Sequence, residues 1–325
     1  MAIIKILLYL TLVALVLLPS GLFLFISKIA NRFSKRIGQY LKLLGLGISG
    51  MILLLLSYGY FIGRTDWEIK QIDFSYPTVP EKFEGYRIMQ LSDIHIPCWS
   101  GEPQIVHEFV ELVNAQQPDL IVFTGDLVTY RAEELDEFKD LLSEITAPDG
   151  VYSILGNHDE GPYYLNPSPK EMRANRKALL EKEASMGWQL LNNSHTIIRH
   201  QGDSIALIGV ENDGEPPFGQ QAKLIQAAQG TNHLFQILLS HNPTHWRREV
   251  LSKTKIPLML AGHTHAFQMK IGSWSPAQYK YPEWGGLYYK GKRALYVNIG
   301  VGEVALPCRI GARPEITIIT LHKSK

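Results

Sequence analysis

The residues that could carry chemistry in this 325-residue chain are histidines, carboxylates and one asparagine in five short blocks. Along the chain the blocks are Asp-Ile-His, Gly-Asp, Gly-Asn-His-Asp, Ser-His-Asn and Gly-His-Thr-His. Their potential metal ligands are Asp93, His95, Asp126, Asn157, His241, His263 and His265. Oxygen and imidazole ligands without a thiolate suit Mn, Fe, Zn or a mixed pair. Because one ion rarely uses so many side chains, the set predicts two ions about 3.5–4 Å apart that share one carboxylate.

Each block follows a short apolar run rich in Ile, Val and Leu, which is typical of a buried strand. The runs cover residues 86–91, 120–123, 150–155, 234–239 and 258–261. In an open α/β sheet, the loops that leave the carboxyl ends of the strands line one crevice. The pattern therefore predicts that the five blocks meet at one edge of the fold.

The segments after the first two runs have the apolar spacing of helices, one beginning at Pro103 and one over 132–145. Alternating strands and helices predict βαβ units with right-handed crossovers. A polar helix over 170–186 then leads into a strand that turns back at Asn192-Asn193. Further strands are predicted over 67–76, 188–191, 196–199, 205–210, 294–298 and 316–321. The predicted fold class is an α/β sandwich of two stacked mixed β-sheets flanked by helices.

Two long apolar runs precede this region, over residues 6–26 and 43–62. Each is near the ~20 residues needed to cross the hydrocarbon core of a bilayer. The first run could instead be a cleaved signal peptide. It is long, however, it lacks an evident small-residue cleavage site, and a second span follows it. The sequence therefore predicts a membrane anchor of two transmembrane helices over residues 1–64 and a separate folded domain over residues 65–325.

The arrangement of the two spans also follows from their composition. Gly45, Gly47 and Gly50 predict a small-residue face on the second span that packs against the first. The charged residues between the spans are all basic: Lys28, Arg32, Lys35, Arg36 and Lys42. Because basic residues in short loops stay on the cytoplasmic side, the connection is predicted to be cytoplasmic and the folded domain extracytoplasmic.

The overall composition excludes some classes of partner. The formal net charge is +1 and no block of Lys and Arg is present, so no nucleic acid is expected as a partner. The two cysteines, Cys98 and Cys308, are too few for a disulfide scaffold and lack the spacing of metal ligands. Two reduced thiols are the favoured interpretation, although the sequence leaves their pairing open.

The five blocks, in this order, resemble the pattern of the calcineurin-like metallophosphoesterases. That pattern is Asp-x-His, Gly-Asp, Gly-Asn-His-Asp/Glu, a lone His and Gly-His-x-His. The resemblance runs from about residue 86 to the C-terminus, and the apolar spans make the chain similar to the membrane-anchored, bacterial-type phosphodiesterases. An unrelated set of polar residues is the alternative, but five blocks in order, each after a strand, disfavour it.

The resemblance implies a role for each ligand. Asp93, His95 and His265 would hold the first metal ion, whereas Asn157, His241 and His263 would hold the second. Asp126 would bridge them, because a carboxylate has two oxygens and its charge offsets the repulsion between two cations. A water bound between such metals becomes hydroxide near neutral pH and can attack phosphorus. The implied activity is therefore hydrolysis of a phosphoester by two divalent ions.

Other residues near the blocks also have predicted roles. His158 resembles the family histidine that hydrogen-bonds or protonates the leaving oxygen, with Asp159 holding its imidazole in place; a structural loop histidine is the alternative. His245 lies four residues after His241, but Pro243 intervenes and the ligand set is already full, so His245 is interpreted as structural. The loop over 160–169 either overhangs the site or is an ordinary connection.

Two departures from the family pattern limit what the resemblance says about the substrate. Thr129 stands where many relatives have Asp, and Ala266-Phe267-Gln268 stands where many membrane-associated relatives have Gly-Gly-Gln. Neither departure removes a ligand.

The leading hypothesis is hydrolysis of a phosphoester or pyrophosphate bond in a lipid-linked substrate at the membrane. Aromatic residues in the loops, such as Trp274 and Tyr281, fit a membrane interface because they have one apolar end and one polar end. Core or dimer contacts are the alternative interpretation of these rings. The alternative functions are a phosphodiesterase for a soluble diester or nucleotide, and a non-catalytic metal-binding scaffold.

Overall fold

The computed structural model describes residues 2–161, 163, 167–216 and 219–324. Its strands are β1 Glu68–Tyr76, β2 Arg87–Leu91, β3 Leu120–Phe123, β4 Val151–Ser153, β5 Gln189–Leu190, β6 Ser194–His200, β7 Asp203–Gly209, β8 Phe235–Leu239, β9 Leu258–Ala261, β10 Gly286–Lys290, β11 Arg293–Val297 and β12 Glu315–Lys323. Its helices are α1 Ala2–Ala30, α2 Lys35–Tyr58, α3 Pro103–Ala115, α4 Lys139–Leu142, α5 Asn157–Glu160, α6 Pro169–Ser185, α7 Leu224–Ala227 and α8 Leu251–Lys253.

The strands form two mixed sheets, as the sequence predicts. The first sheet has the order β1-β12-β2-β3-β4-β5, with β2 to β5 mutually parallel. The second has the order β10-β11-β9-β8-β7-β6, in which β7, β8, β9 and β11 are parallel and the two edge strands are antiparallel to their neighbours. The predicted fold class is therefore confirmed.

Side chains that alternate along the strands build a core on each face of the sheets. In β3, Leu120 and Val122 point into the layer between the two sheets, where they join Leu239 and Leu260 of the second sheet. Ile121 and its alternate neighbours face the opposite side, in a core covered by α3 and α6. Because β3 is buried on both faces, its sequence is an unbroken apolar run.

Two local predictions are wrong. The chain does not turn back at Asn192-Asn193, because β5 pairs with β4 in the first sheet whereas β6 belongs to the second. The predicted helix over 132–145 is instead a 3₁₀ turn from Ala132 and the short α4, separated by the non-helical backbone of Phe138. Phe138 is fully buried in the core beside α3, and this packing overrides the helical pattern. The sequence also missed β10.

The two N-terminal helices are long and apolar enough to cross a membrane, and they pack against each other. The Ser20 hydroxyl donates to the Ser49 hydroxyl at 2.6 Å and the Ser27 hydroxyl donates to the Gly38 carbonyl at 2.7 Å, so the two helices run antiparallel. A Cβ added at Gly45 would lie 2.4 Å from the Cβ of Phe23, so this glycine lets the helices approach closely. Gly47 and Gly50 face open space instead. The predicted small-residue face is therefore right for Gly45 and wrong for the other two glycines.

Candidate metal centre

The candidate ligands follow the carboxyl ends of strands from both sheets. The order is β2 before Asp93 and His95, β3 before Asp126, β4 before Asn157, β8 before His241, and β9 before His263 and His265. Strands β2 to β4 are parallel, as are β8 and β9, so their ends in each sheet lie at one edge. The structure thus brings the predicted ligands from all five blocks to one place.

The backbone at this edge is unusual. Asp93, His95, Asp126, His263 and His265 have φ angles of 52°, 44°, 60°, 76° and 50°, in the left-handed region. Non-glycine residues in such conformations cost on the order of 1 kcal/mol or more each, and they cluster at functional sites. The fold therefore holds these side chains in positions that an ordinary strand-to-helix turn would not give.

One group of donor atoms comes from Asp93, His95 and His265, whose ligand atoms lie within 4.8 Å of one another. His265 Nε2 is 3.3 Å from Asp93 Oδ1. The Asp93 carboxylate also accepts hydrogen bonds from the Ser92 hydroxyl at 2.5 Å and from the His263 amide at 3.0 Å. These contacts orient the carboxylate before any cation binds.

A second group comes from Asp126, His241 and His263, again within 4.8 Å. His241 Nε2 is 3.1 Å from Asp126 Oδ2, 3.1 Å from Asn157 Oδ1 and 3.3 Å from His263 Nδ1. Two imidazole nitrogens, one carboxylate oxygen and one amide oxygen thus form a single cluster around His241 Nε2. His241 Nδ1 donates to the Thr124 carbonyl at 2.7 Å, which leaves Nε2 as the nitrogen that faces the group.

Asp126 lies between the two groups. Its Oδ2 is 3.1 Å from His241 Nε2 and 3.5 Å from His95 Nε2. His95 Nε2 is buried and has no hydrogen-bond partner among the residues that the structure describes. A buried nitrogen without a partner is costly unless something else binds it. The position of Asp126 therefore fits a carboxylate shared by two cations.

The charges of the site fit cations as well. Burial opposes ionisation of Asp93 and Asp126, but nearby histidines lower the pKa of both carboxyl groups. Burial also opposes a charge on His241, yet Asp126 raises the pKa of this imidazole to about 10. The buried carboxylates thus favour positive charge at this place, which a divalent ion would also supply; such an ion binds a histidine in its deprotonated form.

The glycines of the blocks make room for the ligands. A Cβ at Gly262 would lie 1.9 Å from Ser92 Oγ and 2.3 Å from Asp93 Oδ2. A Cβ at Gly156 would lie 2.2 Å from Asp126 Oδ1. Any side chain at these positions would displace a carboxylate, which explains in physical terms why glycine occurs there.

His158 lies beside the shared carboxylate. Its backbone N–H donates to Asp126 Oδ1 at 2.8 Å, and its Nδ1 donates to the Thr129 carbonyl at 2.8 Å. The neutral imidazole therefore has its unprotonated nitrogen at Nε2. The ring lies edge-on to His95 and stacks on Tyr163, with a centroid distance of 4.1 Å to the tyrosine ring. Within the loop over 160–169, Tyr163 overhangs the site, whereas residues 162 and 164–166 lie outside the described residues.

The prediction for Asp159 is wrong in one respect, because its carboxylate does not hold the imidazole of His158. Oδ2 accepts from the amides of Asp126 and Gly156 at 2.7 and 2.9 Å. Oδ1 accepts from the amides of Leu127 and Val128 at 2.9 and 3.1 Å. Asp159 thus fixes the backbone that carries Asp126, and the Thr129 carbonyl holds the imidazole instead.

Three residues at the site were missed as functional in the sequence. Thr129, noted there only as a departure, places its hydroxyl 3.1 Å from His95 Nδ1, and the Tyr281 hydroxyl is 2.9 Å from His263 Nε2. The guanidinium of Arg309 is fully buried and lies 3.3 Å from His265 Nδ1. The sequence indicated Tyr281 only as an aromatic loop residue and gave no signal for Arg309, because both lie outside the blocks.

Other candidates have structural roles. His245 is buried, with Nδ1 2.9 Å from Ser240 Oγ and Nε2 3.0 Å from Glu249 Oε2, in agreement with its structural interpretation. Cys98 and Cys308 are free thiols, so the favoured interpretation of the cysteines is confirmed.

Known proteins resemble this chain in the same region. The sequence model of the family described as calcineurin-like phosphoesterase matches residues 86–267, which contain the predicted ligands. The uncharacterized metallophosphoesterase YkuE of Bacillus subtilis is 30% identical over 317 residues, covering 90% of this chain and 99% of the relative.

In two further relatives, the region similar to this chain covers a smaller share of the relative's own length. The transmembrane protein with metallophosphoesterase domain of Danio rerio is 30% identical over 83% of this chain, which spans 61% of that protein. The phosphodiesterase YaeI of Escherichia coli is 26% identical over 73% of this chain and 82% of its own length. The similarity therefore covers both the region of the blocks and much of the remaining chain.

Proposed function

The chain belongs to the calcineurin-like phosphoesterase family of metal-dependent hydrolases, and from that premise we propose that it cleaves a phosphoester or pyrophosphate bond in a lipid-linked substrate at the membrane. The observation that carries the proposal is the pair of buried donor groups with Asp126 between them. Thus the same edge of the sandwich that carries the family blocks also carries donor groups that support a proposal of two bound cations.

The proposed ligands follow the two groups. One ion is assigned to Asp93, His95 and His265, the other to Asn157, His241 and His263, and Asp126 is assigned to both. Two divalent ions bound there, of the Mn, Fe or Zn type, supply Lewis-acid charge and a water of lowered pKa for attack on phosphorus. The chain itself contributes orientation, because each ligand histidine or carboxylate is fixed by a second contact.

His158 is the proposed catalytic residue of the chain. Its Nδ1–H is held by the Thr129 carbonyl, so Nε2 is the nitrogen available to a substrate. The stacked Tyr163 ring and the edge of His95 restrict rotation of the imidazole. In its protonated form, His158 would donate a proton to the leaving oxygen through Nε2. Asp159 is a positioning residue that acts through the backbone of Asp126.

Residues 1–64 are proposed as the membrane anchor and residues 65–325 as the catalytic domain. Two helices of sufficient length support this division, as does a relative whose name describes it as a transmembrane protein. The basic connection between the helices supports an extracytoplasmic catalytic domain. Reporter fusions to the C-terminus test this orientation: activity of a periplasmic-type reporter is expected, and activity of a cytoplasmic reporter alone would reverse the topology.

The experiment for the proposed activity uses the full chain in detergent with added Mn. We expect metal-dependent hydrolysis of a generic phosphodiester or monoester, and its loss in Asp126→Asn and His158→Ala. His107→Ala is the matched control, because this exposed histidine of α3 lies outside the site. Metal binding without turnover of any ester would instead support the scaffold hypothesis, and failure to bind metal would overturn the proposal.

A soluble diester is the second candidate substrate. The E. coli relative is named a phosphodiesterase, which favours diester chemistry without requiring a lipid. Comparison of a lipid-linked ester in vesicles with a soluble ester of the same leaving group separates the two candidates. Preference for the lipid-linked ester is expected. Equal or higher turnover of the soluble ester would favour the second candidate.

A further inference from the structure

The end of α2 is clamped onto the folded domain. After Tyr58 the helix continues through a wider, π-helical turn, Gly59–Gly63. A Cβ at Gly63 would lie 2.0 Å from the Arg309 carbonyl, and one at Gly59 would lie 2.2 Å from Cys308 Sγ. The Arg309 amide donates to the Gly59 carbonyl at 3.2 Å. The helix end and the segment around Arg309 therefore touch backbone to backbone.

The next residue strengthens this junction. Arg64 is buried, with NH1 3.0 Å from Glu102 Oε1 and Nε 2.8 Å from Glu303 Oε1. Its NH2 also donates to the Cys98 carbonyl. An arginine held by three partners does not act as a flexible linker, so the direction of α2 fixes the orientation of the domain relative to a bilayer.

A hairpin of the domain lies next to the helix end. The Ile310 amide donates to the Gln268 carbonyl and the Lys270 amide donates to the Ile310 carbonyl, both at 2.9 Å. The chain then turns between Ile271 and Trp274, whose backbones exchange hydrogen bonds of 2.9 and 3.1 Å. Residues 267–274 are called the membrane-proximal hairpin below. The segment Arg309-Ile310 lies between this hairpin and the end of α2.

Exposed apolar side chains concentrate on this hairpin. In the described part of the chain after residue 64, the large apolar side chains that are exposed are Tyr163, Ile225, Phe267, Ile271, Trp274, Tyr279 and Tyr289. Three of them belong to the hairpin, and Tyr279 follows it closely. Single exposed apolar residues are normal on the surface of a soluble domain. A group of them beside an apolar helix end instead indicates an interaction surface.

The exposed group is joined through Ile310 to the end of the apolar helix α2, since a Cβ at Gly59 would lie 3.1 Å from the Ile310 side chain. Phe61 and Ile62, in the last turn of the helix, are 75% and 55% exposed. They lie at the junction to which the hairpin is joined. Lys270 in the hairpin and Lys280 after it add positive charge, which complements anionic lipid headgroups.

The hairpin also reaches the metal centre. Phe267 is two residues after His265, and its ring contacts that of Tyr281 at a centroid distance of 6.1 Å. Tyr281 in turn lies 2.9 Å from His263 through its hydroxyl. A surface that contacts this hairpin is therefore adjacent to the place where substrate phosphate would bind.

From this connection to the end of α2 we propose that the membrane-proximal hairpin inserts into the headgroup layer of the bilayer that α1 and α2 cross. The bilayer is the occupant of the exposed apolar group, with Ile271 and Trp274 as the inserted side chains. The metal centre then opens at headgroup level, and a lipid-linked phosphoester reaches it without leaving the membrane. This consequence for the substrate rests on the proposed activity, whereas the membrane contact rests only on the proposed anchor of residues 1–64.

The contact is tested by photo-crosslinking in the full chain reconstituted into vesicles of phosphatidylethanolamine and phosphatidylglycerol. Benzoylphenylalanine replaces Ile271 in one variant and Ile225 in the other; these isoleucines are matched, with 62% and 57% exposure. Lipid adducts are expected at position 271 and not at 225. Equal adducts at both positions, none at 271, or a crosslink from 271 to a second copy of this chain would overturn the proposal.

The consequence for the substrate needs a separate measurement. The double variant Ile271→Ser/Trp274→Ser is expected to lose about tenfold in kcat/KM for a phosphoester lipid in vesicles. The free energy that corresponds to this loss is smaller than the free energy gained by burying one such apolar side chain. Turnover of a soluble ester is expected to stay unchanged, with Ile225→Ser as control. An equal loss for both esters would overturn the substrate consequence. No turnover of either ester by the unmodified chain would refute the proposed function, while the crosslinking result would still decide the membrane contact.

Discussion

Replacing Asp159 with asparagine tests how the site is held together. The carboxylate accepts two backbone amides on each oxygen, those of Asp126 and Gly156 on Oδ2 and those of Leu127 and Val128 on Oδ1. Asparagine keeps one oxygen and replaces the other with an N–H₂ group. Whichever way the amide points, two backbone N–H groups lose their acceptor and face a donor.

The expected loss follows from these two amides. A buried donor without an acceptor costs about 1–3 kcal/mol, so two of them cost about 2–6 kcal/mol. Burial and the Asp126 carboxylate raise the pKa of Asp159 to about 7, which means that the charge itself is unfavourable there. Removing the charge relieves that repulsion and brings the expected loss toward about 2 kcal/mol. For a domain of this size, such a loss lowers Tm by about 4–8 °C.

The assay is a double-variant cycle with His158→Ala, read by thermal unfolding and by bound Mn per chain. Asp159 holds the backbone of Asp126, so Asp159→Asn is expected to lower both Tm and the amount of bound Mn. Each decrease is expected to be the same in the unmodified chain and in the His158→Ala background, which lacks the imidazole. If Asp159 acted through that imidazole, its substitution would have no effect in the His158→Ala background. That second outcome, or an unchanged Tm in the single variant, would refute the reasoning.

Three further predictions test other parts of the structure. Gly262→Ala is expected to displace Asp93 and reduce bound Mn in a folded chain, as measured by elemental analysis; full Mn content would contradict the clash at 2.3 Å. Gly45→Leu is expected to lower the Tm of the anchored chain whereas Gly47→Leu is not, because only the former meets Phe23; equal effects would contradict this packing. Burial raises the pKa of Glu183 from 4.5 to about 8, so its stabilising neutral form is lost as the pH rises through that range. Glu183→Gln is therefore expected to raise Tm at pH 8 and not at pH 4.5, and an equal change at both pH values would contradict the assigned shift.

Much of the fold could be predicted because its signals are local. The runs at 120–123 and 258–261 coincide with β3 and β9, since strands buried on both faces are continuous apolar segments. The helix predicted to begin at Pro103 does begin there, as its N-terminal proline and its apolar spacing indicate, and it ends at Ala115. The ligand blocks were also visible, because each occupies the few residues after a strand.

The errors arose where the outcome depended on distant contacts. The turn at Asn192-Asn193 has the composition of a hairpin, but the pairing of β5 with β4 decides that the chain crosses between the sheets. The interrupted helix around Phe138 has the helical pattern, yet the core beneath it requires a bend. Gly47 has the same local surroundings in sequence as Gly45, and only the position of α1 distinguishes them.

The role of Asp159 shows the same limit at the site itself. Adjacency along the chain makes the His158 imidazole its natural partner, whereas the folded structure gives it amides from the β3 loop about 30 residues earlier in the sequence. A carboxylate that fixes backbone and one that orients an imidazole look identical in a sequence block.

Arg309 extends this argument from single contacts to the organisation of the protein. Its backbone carries the contact with the end of α2, whereas its side chain donates to the carbonyls of Gly300 and Gly302 and approaches His265. This residue lies beyond residue 267, where the match to the family's sequence model ends. A buried guanidinium satisfied by several carbonyls is costly to disturb, because removing it leaves those acceptors unpaired. The end of α2 and a candidate metal ligand are therefore both in contact with Arg309, which links the position of this helix to the geometry of the site.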